Sequence, residues 1–270
     1  MGNQKRSRGN QRSKNKNKTS KKKEAEASSS KPKQGKGDQA TQAAPRTVYF
    51  YRPQVMPYGT FCQWNQSPIS IPTTSLEWLV AQAPRPGPAP TEAREILASY
   101  PSPITFSCAE QAYMFLKALY FHSELFCTSI MEARYPSQHK QLGRGVPGYD
   151  DAAWCLVRER VARVVNYCKF MDAENARMRA VLLGTGDAEL VEAGRRDRVW
   201  GIGFYEWEAE RERANWGLNL LGKALMSVRE RIRWWEESGG SGVGEWDGDL
   251  GYEDEDEDEG EDGGRGEGEE

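Results

Sequence analysis

No stretch of this chain approaches the roughly 20 consecutive apolar residues that a membrane-spanning helix requires, and no apolar leader precedes its body. Histidine is almost missing: only His122 and His139 occur. The five cysteines, Cys62, Cys108, Cys127, Cys155 and Cys168, form no CxxC pair, and their number is odd. No His/Cys cluster therefore has the spacing of a zinc site. The same features lead us to expect a reduced intracellular protein, cytoplasmic or nuclear, with no membrane contact and no bound metal. Neither a full GxGxxG fingerprint nor a Walker sequence occurs, so no nucleotide cofactor is expected.

Charge is present but segregated. The net charge of −3 conceals a basic stretch, residues 1–46, with fourteen Lys/Arg against three acids. At the other end, residues 236–270 hold seventeen acids against one Arg. Both ends are nearly free of aliphatic side chains and cannot offset chain entropy by burial. We expect 1–46 and 237–270 to be disordered tails flanking one domain at 47–236. Lys21-Lys22-Lys23 suits the basic tail to nucleic acid or to a nuclear address, although a solvated charged arm accounts for it equally well. The acidic run Glu253 to Glu259 reads as a solubilising segment that pairs only loosely with the basic arm.

Within the body, Thr47-Val48-Tyr49-Phe50-Tyr51 reads as a strand. Tyr58-Gly59-Thr60-Phe61 then turns into Cys62-Gln63-Trp64 and Pro68-Ile69-Ser70-Ile71. Residues 72–103, with six prolines after position 83, read as an insertion that leaves the core, with a short helix at 91–99. From Ser107 the pattern turns helical, Ser107 and Glu110 having the spacing of a capping box. Helices are predicted at about 151–170, 174–183 and 215–235. The first carries Trp154, Val157, Val161, Val164 and Cys168 as an apolar stripe; the last carries Leu218, Leu221, Leu225, Val228, Ile232 and Trp235. Residues 188–193 fit strand or helix, the strand suiting the approach to Val199-Trp200 better. The fold class is α+β: a single compact, predominantly helical domain with a small sheet.

The residues able to do chemistry have ordinary readings as well. Glu110 reads first as a helix cap, yet Lys117 lies about 10 Å farther along the helix axis, too far to neutralise it. Trp154 reads as core. Asp197 reads as a solvated acid among Arg195, Arg196 and Arg198, followed by a bulged strand. Gly201 beside Trp200 permits close approach of backbone or ligand. Lys140, Gly143 and Arg144 form a compact group suited to a phosphate, or to a plain charged surface.

Taken in order, these stretches resemble the NADAR family, which includes the YbiA-like N-glycosidases. The resemblance runs through Phe50-Tyr51, Tyr58 to Phe61, Ala109 to Tyr113, Lys140 to Arg144, Trp154, Lys169-Phe170, and Leu182-Leu183 with Thr185. It continues through Glu189 to Glu192 and Asp197 to Gly203, and ends on Trp216 to Met226. It implies a domain that binds ribosyl-phosphate or ADP-ribosyl small molecules and hydrolyses an N-glycosidic bond, as in ribosylamino-pyrimidine intermediates or ADP-ribosylated guanine. The family's active-site positions then fall on Glu110, Trp154, Asp197 and Trp200. The implied catalytic pair is Glu110 and Asp197, with Trp154, Trp200, Lys140, Arg144 and Gly201 binding substrate. This chain departs from the family in having Cys62-Gln63-Trp64 for Ser-Asn-Phe, and Gln111 for a His. A non-catalytic reader of ADP-ribose or NAD, or a scaffold working through the basic tail, are the competing expectations.

Overall fold

A computed structural model of the protein describes residues 46–82, 84, 91–240 and 245–251. The expected disorder of 1–45 and 252–270, and the Lys21-Lys22-Lys23 segment, lie outside the described residues. None of the helices described is long and apolar enough to cross a membrane.

The chain opens on β1 (Thr47–Phe50), whose alternation buries Val48 and Phe50. After a short 3-10 turn, Tyr58–Phe61, come β2 (Gln66–Ile71), α1 (Glu77–Ala81), α2 (Thr91–Ala98) and β3 (Ile104–Cys108). Helices α3 (Ala109–Tyr120), α4 (Glu124–Glu132), α5 (Pro136–Arg144), α6 (Asp151–Met171) and α7 (Ala176–Leu183) follow. Strand β4 (Glu189–Glu192), the one-turn α8 (Glu206–Ala209) and α9 (Leu220–Glu237) complete the order. Helix dominates, as the sequence predicts. The strands form two two-stranded sheets among the described residues.

β2 and β3 pair antiparallel, Ile69 opposite Phe106 and Ile71 opposite Ile104, with an irregularity between Gln66 and Ile69. Pro68 sits in that irregularity, where a residue without an N–H is tolerated. β1 and β4 pair in parallel, Val48 opposite Leu190 and Phe50 opposite Glu192. The loops following both strands therefore leave from the same end, and these loops carry much of the site.

α3 is the core helix: Ala112, Phe115, Leu116, Ala118 and Leu119 are fully buried, and α4, α5 and α6 pack around it. α6 is capped by Asp150, which accepts from the Ala153 N–H at 2.8 Å. Its stripe, Val157, Val161, Val164 and Val165, is buried, and α6 lies against α9.

Three expectations change. First, the insertion at 72–103 is not an excursion: Leu76, Leu79, Val80, Ile96 and Leu97 are buried in the main core. Enough apolar side chains fall on one side of α1 and α2 to dock them despite the prolines. Residues 83 and 85–90 lie outside the described residues. Second, α9 starts at Leu220, and Leu218 is 48% exposed instead of belonging to the stripe. The Gly217 and Leu218 N–H groups donate to the Ile202 and Arg198 carbonyls, both at 2.8 Å, which holds this segment extended. Asn219 then turns the chain at φ 52°. Its amide donates to the Leu190 carbonyl, and its Oδ1 accepts the Glu192 N–H. Third, residues 245–251, inside the range expected to be disordered, are docked. Trp246 is buried edge-on to Tyr167 at 5.4 Å, and Arg160 pairs with Asp247 and with Asp249.

Candidate active site

The site begins with a cap that does not form. β3 runs on to Cys108, so α3 starts at Ala109 and has no side-chain cap. Ser107 instead bonds to Gln111, whose Oε1 accepts its backbone N–H at 2.8 Å and its hydroxyl at 2.9 Å. The capping box expected between Ser107 and Glu110 is thus replaced by a Ser107–Gln111 pair, and Gln111 Nε2 reaches the Ile130 carbonyl. The competition matters because it leaves the Glu110 carboxyl to the cleft, where the Trp64 side chain hydrogen-bonds to it. Glu110 remains tied through its backbone N–H, which donates to the Gln63 carbonyl at 3.0 Å.

The segment carrying Cys62, Gln63 and Trp64 is held from below by Lys169 of α6. This lysine is fully buried, and its Nζ donates to the Thr60 carbonyl at 2.6 Å and the Cys62 carbonyl at 3.2 Å. Burial pulls its ammonium down to about 8.

α5 supplies Lys140 and Arg144. It reaches α3 because Gly143 packs on Met114: a Cβ at 143 would fall 2.0 Å from Met114 Sδ. The glycine between the two cations is therefore a packing requirement that sets α5 down beside the first turns of α3. α6 adds Trp154 and Arg158. The loop after β4 adds Asp197 and Trp200. There, Asp197 Oδ1 accepts the Val199 and Trp200 N–H groups at 3.0 and 2.8 Å, a local turn that aspartate forms readily.

These elements enclose a cleft of about 860 Å³. Glu110, Asp197, Trp154, Trp200, Lys140 and Arg144, named from six places in the sequence, all line it. Gly201 lies outside its lining. A Cβ there would sit 2.6 Å from the Glu192 carbonyl oxygen, so this glycine lets the loop close onto β4. Trp154 is both core and wall, being 5% exposed. Tyr113 stands edge-on between the indoles, 5.4 Å from Trp154 and 5.1 Å from Trp200.

Glu192, at the end of β4, is an acid of the lining that sequence reasoning missed, as it missed Tyr113 and Arg158. Within Glu189-Leu190-Val191-Glu192 it resembles the polar edge of a short strand. Its one signal is position, an acid at the carboxyl end of a strand just before a glycine-containing loop. Buried Glu110 and half-buried Glu192 thus share the cleft with Asp197. Burial is the main force on both, pushing Glu110 up to about 7 and Glu192 up to about 8. Asp197 raises both further by repulsion, whereas Lys140 opposes the shift in each. Glu110 Oε1 and Glu192 Oε2 are enclosed without a hydrogen-bond partner. At the far end, Lys117 lies 3.7 Å over the Tyr149 ring, with Asp151 and Arg158 lining the wall. The arrangement offers a carboxylic acid that titrates near neutrality, a second carboxylate, flat aromatic walls and two flanking cations.

The NADAR domain family model matches residues 49–233. The chain is 37% identical to the N-glycosidase R617 of Acanthamoeba polyphaga mimivirus over 124 residues, which cover 45% of this chain and 72% of that protein. It is 31% identical to the N-glycosidase Npun_R5314 of Nostoc punctiforme over 187 residues, 69% of this chain and 93% of the relative. Its fold is similar to the NMR structure of the Escherichia coli protein YbiA, with a TM-score of 0.50 at 23% identity, covering 74% of this chain and 92% of that one.

Proposed function

The chain belongs to the NADAR domain family and is, at the level of that family, an N-glycosyl hydrolase; from that premise we propose that its cleft hydrolyses the N-glycosidic bond of a ribosyl-phosphate or ADP-ribosyl substrate. The observation carrying this reading is that Glu110 and Asp197 line one cleft with Trp154, Trp200, Lys140 and Arg144.

Breaking the bond sends its electron pair to the departing base nitrogen and leaves oxocarbenium character on the anomeric carbon. Glu110, pushed up to about 7 by burial, keeps a proton into the neutral range and gives it to that nitrogen. Efficient general acids titrate close to the working pH. Asp197 has one oxygen engaged by two backbone N–H groups; the other takes a proton from the attacking water. That water adds to the anomeric carbon, and the proton accepted by Asp197 passes to solvent, while Glu110 is reprotonated. Trp200, the less buried indole, stacks on the base or shields the cation, and Trp154 backs the wall. Lys140 and Arg144 hold the phosphate. The leaving base is a guanine or a pyrimidine of the ribosylamino type.

The test is turnover of ADP-ribosylated guanosine and of ribosylamino-pyrimidine phosphates by Asp197→Asn and Glu110→Gln. Loss of a general acid or base is worth about 10²–10⁴-fold, so both variants are expected to fall by at least about 100-fold. Near-wild-type turnover in both removes the assignment. Calorimetry with ADP-ribose run beside the product assay covers the competing reading: tight binding with no base released would make the domain a reader.

A further inference from the structure

Glu192 takes no part in the steps above, yet its carboxyl is built into the wall of the cleft. Its Oε2 is enclosed and has no hydrogen-bond partner. Its backbone is fixed on both sides: the N–H donates to Asn219 Oδ1, and the carbonyl accepts from the Gly194 and Ile202 N–H groups at 2.9 Å. A Cβ at Gly201 would come within 3.4 Å of Glu192 Cγ, so the stem of the side chain is closely covered. An enclosed carboxyl oxygen with nothing to bond is costly when it is charged and far less so when the group is neutral.

The groups facing it favour the neutral form. Asp197 approaches from the loop after β4, Glu110 from α3, Lys140 from α5 and Cys62 from the segment after β1. Two carboxyls are thus set against one ammonium, in a place where burial already disfavours charge. Glu192, pushed up mainly by burial, is raised further by both Asp197 and Glu110, so it is suited to keep its proton when either neighbour is ionised. Lys140, to which the reading above assigns the phosphate, lines the same cleft and acts on both acids.

We infer that Glu192 is a substrate-binding residue that enters the complex as a neutral carboxylic acid and donates a hydrogen bond to an oxygen of the ribosyl phosphate. The inference rests on the proposed ligand class and adds the group that recognises its sugar-phosphate half. No proton leaves Glu192 during the reaction. Ionisation of Glu192 removes the donor and places a third negative charge beside an anionic ligand.

The test uses the full chain, ADP-ribose as the probe, and calorimetry from about pH 6.5 to 9.5, together with ¹³C titration of the glutamate carboxyls. The Glu192 resonance, assigned by its loss in Glu192→Gln, is expected to titrate near 8; titration in the ordinary range near 4.5 overturns the inference. Wild-type affinity is expected to fall about tenfold between pH 7 and pH 9, following the protonated fraction. Glu192→Gln keeps a neutral donor, so it should lie within about fivefold of wild type at pH 7 and lose this fall. Glu192→Ala should bind about tenfold more weakly at pH 7. Retention of the wild-type fall in Glu192→Gln, or equal losses in Gln and Ala, overturns the inference. ADP-ribose binding with the expected pH dependence but no base release defeats the hydrolase reading and leaves this one standing. No ADP-ribose binding by the wild type at any pH defeats both.

Discussion

Replacing Glu110 by Gln should make the protein more stable, and only at high pH. Glu110 is pushed from an ordinary 4.5 to about 7, mainly by burial. A carboxyl raised in the folded state is harder to ionise there than in the unfolded chain. Its presence costs nothing below pH 4.5; the cost grows between 4.5 and about 7 and is complete above that. The gap corresponds to about 3 kcal/mol at 1.36 kcal/mol per pH unit. Gln has the shape of the neutral acid and does not titrate. The two proteins should therefore unfold with equal free energy near pH 4.5 and differ by about 3 kcal/mol in favour of Glu110→Gln near pH 8. Urea unfolding of both proteins at matched pH values measures this, since titrating groups that do not face Glu110 cancel in the difference; Glu192, which does face it, is replaced by Gln in both proteins. An unchanged urea dependence in the two proteins is needed for that subtraction. A difference independent of pH, or one that grows as pH falls, would refute the reasoning. Stability gained with activity lost is the trade expected of a group retained for chemistry.

Lys169→Met should leave the Thr60 carbonyl buried without its donor, while the Cys62 carbonyl keeps the Asn65 N–H, at about 1–3 kcal/mol, read as a lower midpoint in urea. Gly143→Ala should push α5 away from Met114 and weaken ADP-ribose binding at least about tenfold; Met114→Ala in the same chain should restore part of it. Failure of the double variant to recover would deny that packing sets the position of Lys140 and Arg144. Trp246→Ala should cost about 3 kcal/mol, in the range for a buried tryptophan, and truncation after residue 236 should cost at least as much; equal thermal midpoints would contradict the docked position of 245–251.

Much of the fold was legible because it depends on periodicity. The Val157, Val161, Val164 stripe of α6 and the Leu221, Leu225, Val228, Ile232 stripe of α9 are buried as their spacing predicts. What escaped depends on partners distant in sequence. Leu218 continues the α9 stripe on paper, but its N–H is claimed by the Arg198 carbonyl, and the helix begins later. Ser107 has the spacing to cap with Glu110, but Gln111 competes successfully for it. Trp246 lies in an acidic, glycine-rich stretch whose average character hides one large apolar side chain and two acids that meet Arg160. The site divides in the same way. The ordered family pattern leads to six residues of the cleft, each with a bland local explanation. Glu192 stayed hidden because four residues of strand carry little information about what their ends face.

Asn219 gives the acids a shared datum. Its amide grips β4 at Leu190 and Glu192, while the segment on either side of it grips the loop running from Arg198 to Ile202. The strand that ends in Glu192 and the turn that presents Asp197 are thereby surveyed from one point, by a residue that does not line the cleft. A change at position 219 should therefore blur the spacing of the acids before it loosens the core.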